Sequence, residues 1–116
     1  MMKTREWGMQ IAQSKENNFH ILRIEGDVDL NSSPQLRKTF TDLLEKGSTK
    51  VVVNFEKVTY IDSSGLATLI EMMQRLKKSQ GAICLVQMND KIRNIFEITK
   101  LDKLFTIYRT QQEAIA

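Results

Sequence analysis

Three carboxylates and two hydroxyls gathered in two short segments carry most of the chemistry this chain offers. The segments read Gly26-Asp27-Val28-Asp29 and Tyr60-Ile61-Asp62-Ser63-Ser64-Gly65. Asp27, Asp29 and Asp62 could bind a divalent cation, but aspartate more commonly serves as a turn or cap residue. Ser63 stands just ahead of an apolar helical run, where serine usually accepts a backbone N–H as a cap worth about 1 kcal/mol. A helix start, with its free N–H groups and positive dipole end, also tolerates a covalently attached phosphate, and the two readings are compatible. Gly65, lacking a Cβ, would let another protein approach the backbone closely. Nucleophilic catalysis by Ser63 needs a base. The single histidine, His20, opens a strand whereas Ser63 follows the end of one, so about five residues at ~3.3 Å each keep them apart. Cys84 lies midway along an apolar run with no imidazole to activate it and reads as a small core hydrophobe. One cysteine and one histidine supply neither an internal disulfide nor a Cys/His zinc cage, so no structural metal and no cofactor is expected. Neither usual glycine-rich phosphate loop occurs.

Positioning these residues falls to short alternating elements. Trp7 to Ala12 is apolar at alternate positions and Phe19 to Ile24 is a second apolar run, which predicts two strands. The polar stretch Gln13 to Asn18 between them is too short for a crossover helix, so the strands form an antiparallel hairpin at one edge of a sheet. Gly26 is expected to break the second strand. Ser33 reads as an N-cap and Pro34 as the first helical residue, with Leu36, Phe40, Leu43 and Leu44 on one stripe and Gly47 just past the end. Lys50 to Phe55 is β-branched and too continuous for a strand wetted on one face, so it reads as a central strand covered on both sides. A second helix over about 64 to 79 turns Leu66, Leu69, Ile70, Met73 and Lys77 inward, while Arg75 and Lys78 belong to its solvated face. Ala82 to Val86 repeats the buried-strand signature. Asn89 or Asp90 caps a third helix carrying Ile92, Ile95 and Phe96, Leu104 to Tyr108 makes a last strand, and Thr110 to Ala116 a short terminal helix.

The order β-β-α-β-α-β-α-β-α, with strands joined by right-handed helical crossovers, predicts an α/β layer fold: a mostly parallel central sheet with an N-terminal antiparallel hairpin. In such a sheet, sites collect beyond the carboxyl ends of the parallel strands. If the second and third strands are parallel neighbours, both acidic segments lie at that end. A length of 116 residues, 41% hydrophobic and 27% charged, fits one domain over 1–116 and leaves no room for a second of ordinary size. Seventeen Lys and Arg against 14 Asp and Glu give +3 with no block of like charge, so nucleic acid is not an expected partner. Apolar runs such as Val51–Val53 fall far short of the roughly 20 residues a membrane helix needs. The charged start, Met1 to Trp7, leads into no apolar leader, and the cytoplasm is the expected location.

Val58-Thr59-Tyr60-Ile61-Asp62-Ser63-Ser64-Gly65-Leu66, preceded by Val51 to Phe55 and followed by an amphipathic helix, resembles the STAS-domain anti-sigma factor antagonists. Gly26-Asp27-Val28-Asp29 is similar to that family's Gly-x-x-Asp, and Lys91 to Leu104 to its third helix and following turn. The resemblance implies a single small STAS domain that is not an enzyme. It implies that Ser63 is phosphorylated by a partner serine kinase that is itself the anti-sigma factor, and that Asp29, Asp62, Ser63, Ser64 and Gly65 belong to the contact surface. The unphosphorylated form would bind the kinase and free the sigma factor, the phosphorylated form would let go, and a PP2C-type phosphatase would reset it. The chain would then be a monomer that forms a heterocomplex. Net positive charge departs from the acidic surface expected of such an antagonist. Alternatives are a STAS subunit of a larger regulatory or lipid-transport assembly, and a receiver-type phosphoacceptor. The receiver is disfavoured because its acidic loop would here follow a hairpin strand and Ile107-Tyr108-Arg109-Thr110 offers no lysine.

Overall fold

The computed structural model describes residues 8–116, in the order β1 (Met9–Glu16), β2 (Phe19–Val28), α1 (Ser33–Glu45), β3 (Lys50–Ile61), α2 (Ser63–Lys78), β4 (Ala82–Val86), α3 (Asp90–Ile98), a 3-10 turn (Leu101–Lys103), β5 (Thr106–Tyr108) and α4 (Gln111–Ile115). This is the α/β fold expected. The sheet runs β1-β2-β3-β4-β5 in space, antiparallel between β1 and β2 and parallel elsewhere. Trp7, where the first strand is expected to start, and the rest of the charged start from Met1 lie outside the described residues.

The hairpin is longer than its apolar pattern. Polar residues 13–16 continue β1, and the turn is only Asn17-Asn18, with φ of 51° and 70°. Positive φ at both central residues is what a type I′ turn needs, and asparagine adopts it at little cost. Gly26, expected to end the second strand, lies inside β2 at φ +102°, where the β2–β3 register shifts. It bends the strand without ending it, as a bulge glycine does. β2 thereby reaches Val28 and β3 reaches Ile61, six residues past the expected end at Phe55.

Val51 to Phe55 are all buried, as a strand covered on both faces requires. One face carries Leu22, Val53, Phe55 and Leu85 beneath Leu36, Phe40 and Leu43 of α1, Leu69, Met72 and Leu76 of α2, and Ile92 and Phe96 of α3. The other face carries Ile21, Val52 and Val86 beneath Ala114 and Ile115 of α4. In α2 Leu69 is buried and Leu66, Ile70 and Met73 pack against the core as expected, but Met72 and Leu76 are core residues as well and Lys77 is exposed. Arg75 is not simply solvated, since its guanidinium donates to Thr41 at 2.8 Å and lies over the Phe40 ring between α1 and α2. The last strand starts at Thr106 because Leu101 to Lys103 form a 3-10 turn, which leaves Leu104 exposed. No helix among the described residues is long and apolar enough to cross a membrane.

Candidate functional site

Both acidic segments meet at the carboxyl ends of β2 and β3. Val28 pairs with Ile61, and the Asp62 N–H donates to the Val28 carbonyl at 3.1 Å. Asp62 is the N-cap of α2: Oδ1 accepts the Gly65 N–H at 3.0 Å, while Oδ2 accepts the Leu30 N–H at 3.1 Å from across the cleft between the segments. One carboxylate thus starts the helix and ties the first loop to it.

With the cap one residue earlier than expected, Ser63 is the first residue of α2. Its side chain is exposed, and among the described residues no hydrogen bond engages its hydroxyl. The capping role read for Ser63 belongs to Asp62. Ser64 is half-buried and its carbonyl accepts the Thr68 hydroxyl at 3.0 Å. Gly65 is buried, and the close approach it allows is internal: a Cβ there would stand 2.5 Å from the Val28 carbonyl oxygen and 2.8 Å from Ile61 Cγ1. The glycine lets α2 seat against the ends of β2 and β3.

Asp29 organises the start of α1. Its Oδ1 accepts the N–H groups of Asn31 and Ser32, both at 3.0 Å, and its carbonyl accepts the Ser33 N–H at 2.8 Å. The N-cap is Ser32 and not Ser33; Ser32 Oγ donates to the Asp27 carbonyl at 2.7 Å, and Ser33 Oγ donates to the Asp29 carbonyl at 2.6 Å. Both serine hydroxyls thus point back at carbonyls of the preceding loop, and the first amides of α1 are met by backbone, Ser33 N–H by the Asp29 carbonyl and Gln35 N–H by the Ser32 carbonyl. Asp27 Oδ1 accepts the Thr59 hydroxyl at 2.6 Å. Each of the three carboxylates therefore has a protein partner, and among the described residues no group of three His, Cys, Asp or Glu is placed to hold a metal ion.

Two residues of this surface escaped notice in the sequence. Leu30 is 70% exposed and Tyr60 46% exposed, one on each segment. Both side chains leave apolar surface in water beside the polar segments. The available signal was Leu30 itself, an apolar residue between a turn aspartate and a helix cap with no periodic partner. His20 lies at the other pole, where it pairs with Val51 at the start of β3. Burial and the ammonium groups of Lys15 and Lys46 lower its pKa. Cys84 is half-buried in β4, and burial pushes its thiol pKa up, away from the reactive thiolate.

The STAS domain family model matches residues 10–114. An anti-sigma-B factor antagonist from Staphylococcus aureus is 26% identical over 99 residues, 85% of this chain and 92% of the relative. A crystal structure of a provisionally named anti-sigma factor antagonist from Thermotoga maritima superposes with a TM-score of 0.86 at 25% identity, covering 90% of this chain and 91% of that one. The phosphorylated form of the Bacillus cell fate determinant SpoIIAA superposes with a TM-score of 0.71 at 23% identity, over 91% of this chain and 96% of that one.

Proposed function

Since the chain belongs to the STAS domain family, we propose that it is an anti-sigma factor antagonist, a binding regulator without catalysis of its own. Its unphosphorylated form binds an anti-sigma factor that is also a serine kinase and so frees the sigma factor. Phosphorylation of Ser63 ends the contact, and a PP2C-type phosphatase restores it. The observation that carries this reading is the exposed Ser63 hydroxyl at the first position of α2, which no hydrogen bond engages among the described residues. The similarity to an anti-sigma-B factor antagonist, and the existence of SpoIIAA in a phosphorylated form, support it.

The partner surface in this reading comprises Asp29, Asp62, Ser63 and Ser64, with Leu30 and Tyr60 as its apolar flank and Gly65 acting indirectly by seating α2. A phosphoryl group adds about −1.5 to −2 charge at pH 7. Placed one residue from Asp62, it puts like charge and a strongly hydrated group into the middle of a contact. A cost of about 3 to 4 kcal/mol weakens binding some hundred- to thousandfold, the size found when buried charged contacts are broken. No change of fold is needed.

The test is incubation of the protein with extract of its own cells and ATP, followed by intact-mass measurement and peptide mapping. One phosphate on Ser63 is expected; none, or one mapping elsewhere, removes the proposal. With the kinase in hand, calorimetry should show Ser63→Asp binding at least a hundredfold more weakly than wild type. Ser63→Ala should bind as wild type and stay bound in the presence of ATP. Equal affinity for Ser63→Asp and wild type would rule out an electrostatic switch.

A further inference from the structure

At the pole opposite Ser63, three exposed lysines border a surface cavity of about 160 Å³ lined by Lys15, His20, Lys46, Ser48, Thr49 and Lys50, among others. They come from three places: Lys15 from the end of β1, Lys46 from the C-cap of α1 and Lys50 from the start of β3. The cavity wall contains no carboxylate, and among the described residues none of these lysines makes an ion pair. Lys50 instead lies over the Phe19 ring, 5.6 Å from its centroid. At the carbonyl end of α1 two of the last carbonyls are occupied by the turn that follows. Gly47, at φ +88°, donates its N–H to the Leu44 carbonyl and Ser48 donates to the Leu43 carbonyl, both at 3.0 Å. Ser48 and Thr49 line the same wall.

We propose that this cavity binds a phosphate group of a small ligand, with Lys15, Lys46 and Lys50 supplying the charge and Ser48 and Thr49 supplying hydroxyl donors. Compact ammonium groups on flexible stems suit a roughly spherical dianion, whereas planar carboxylates favour the fork of arginine. Concavity favours a small ligand over a flat lipid surface or a nucleic-acid backbone. The neighbouring cavity on the open sheet face, lined by Arg23 and Lys57 together with Glu25 and Glu56, is of mixed sign and offers no such preference. An independent sign that positive potential gathers here is the lowered pKa of His20, to which Lys15 and Lys46 contribute after burial. A bound dianion offsets that repulsion and draws the His20 pKa back up.

His20 is the only histidine, so its ring resonances report the site without ambiguity. The experiment titrates inorganic phosphate, and separately inorganic pyrophosphate, into the labelled full chain, with sodium chloride at matched ionic strength as reference. The expected result is a saturable change in the His20 resonances and a His20 pKa raised by about half a unit or more over the chloride reference. Lys15→Gln and Lys46→Gln should each weaken the apparent affinity by about three- to tenfold, while Lys38→Gln, on the exposed face of α1, leaves it unchanged. Tighter binding of pyrophosphate than of phosphate would identify the ligand as a polyphosphate, and the reverse would identify a single phosphate group. A shift that follows ionic strength whatever the anion, or an affinity untouched by both lysine substitutions, overturns the proposal.

Discussion

Asp62 joins two roles that a single substitution can separate. Its carboxylate caps α2 through Gly65 and ties in the Leu30 loop, and its charge lies next to Ser63. Asp62→Ala removes both acceptors and should lower unfolding free energy by about 1 to 3 kcal/mol, read by urea denaturation. Asp62→Asn keeps the Oδ1 acceptor while removing the charge. It exchanges the Oδ2 that accepts from Leu30 for an NH2 donor, so its stability should fall between wild type and Asp62→Ala, and in the proposed switch it should reduce the penalty of Ser63 phosphorylation; a loss as large as that of Asp62→Ala would show that the Gly65 bond contributes nothing without the charge and the Leu30 tie. Gly65→Ala acts by volume, since its methyl would meet Val28 and Ile61 at the ends of the two strands. Overpacking of this kind costs about 1 to 3 kcal/mol and should appear as a lowered Tm. His20 contributes a pH dependence whose sign follows from its lowered pKa. The folded chain holds the proton more weakly than the unfolded chain, whose histidine titrates near 6.5. The stabilising difference is therefore fully present above about pH 6.5 and is lost as pH falls through the folded value. Denaturation midpoints from pH 7.5 down to 5 should fall more steeply for wild type than for His20→Gln, and parallel curves would exclude a histidine contribution.

At the scale of elements, α4 shows how five residues can hold a place on a sheet. Ala114 and Ile115 cover Ile21, Val52 and Val86, and the buried Asn54 amide donates to Gln111 Oε1 at 2.9 Å while Gln111 Nε2 donates to Glu16 at 3.2 Å. Asn54→Ala leaves the Gln111 amide buried with one partner fewer and the Glu56 N–H without its Asn54 acceptor. A loss of about 1 to 3 kcal/mol is expected, with the urea m-value unchanged if α4 stays docked; a reduced m-value would mean that α4 has already peeled away in the native state. The order of elements was legible because apolar runs and helical stripes alternate so cleanly, from Val51 to Phe55 through Leu69 to Ala82–Val86. Strand ends were not. Gly26 and the Asn17-Asn18 turn depend on backbone conformations that composition does not distinguish from chain breaks, and residues 13–16 are polar because β1 is an edge strand with one wet face. The gathering of Asp29, Asp62 and Ser63 followed from parallel pairing of β2 and β3. Which of Asp62 and Ser63 would cap α2 turned on a shift of one residue that helical periodicity does not resolve.

Two clusters of like charge mark the two ends of the parallel strands. Asp27, Asp29 and Asp62 lie where the parallel strands end, and Lys15, Lys46 and Lys50 where they begin, so a net charge of +3 is compatible with an acidic contact surface. β3 runs from Lys50 in the basic cavity to Ile61 beside Ser63, 12 residues that span about 35 Å at ~3.3 Å each. That separation exceeds the Debye length of about 8 Å at physiological salt several times over. Direct electrostatic coupling between a phosphate on Ser63 and a phosphate in the basic cavity is therefore negligible, and substitutions so far apart with no shared partner should add to within about 0.5 kcal/mol. The expected outcome is that Ser63→Asp leaves the phosphate titration of His20 unchanged within twofold, and that Lys46→Gln leaves binding at the Ser63 pole unchanged within the same margin. A larger effect in either direction would have to travel through β3 itself, by movement of a strand whose residues Val51 to Phe55 are buried on both faces, and phosphate in the cavity would then change partner affinity by the same factor as partner changes phosphate affinity, because coupling between two binding equilibria is reciprocal.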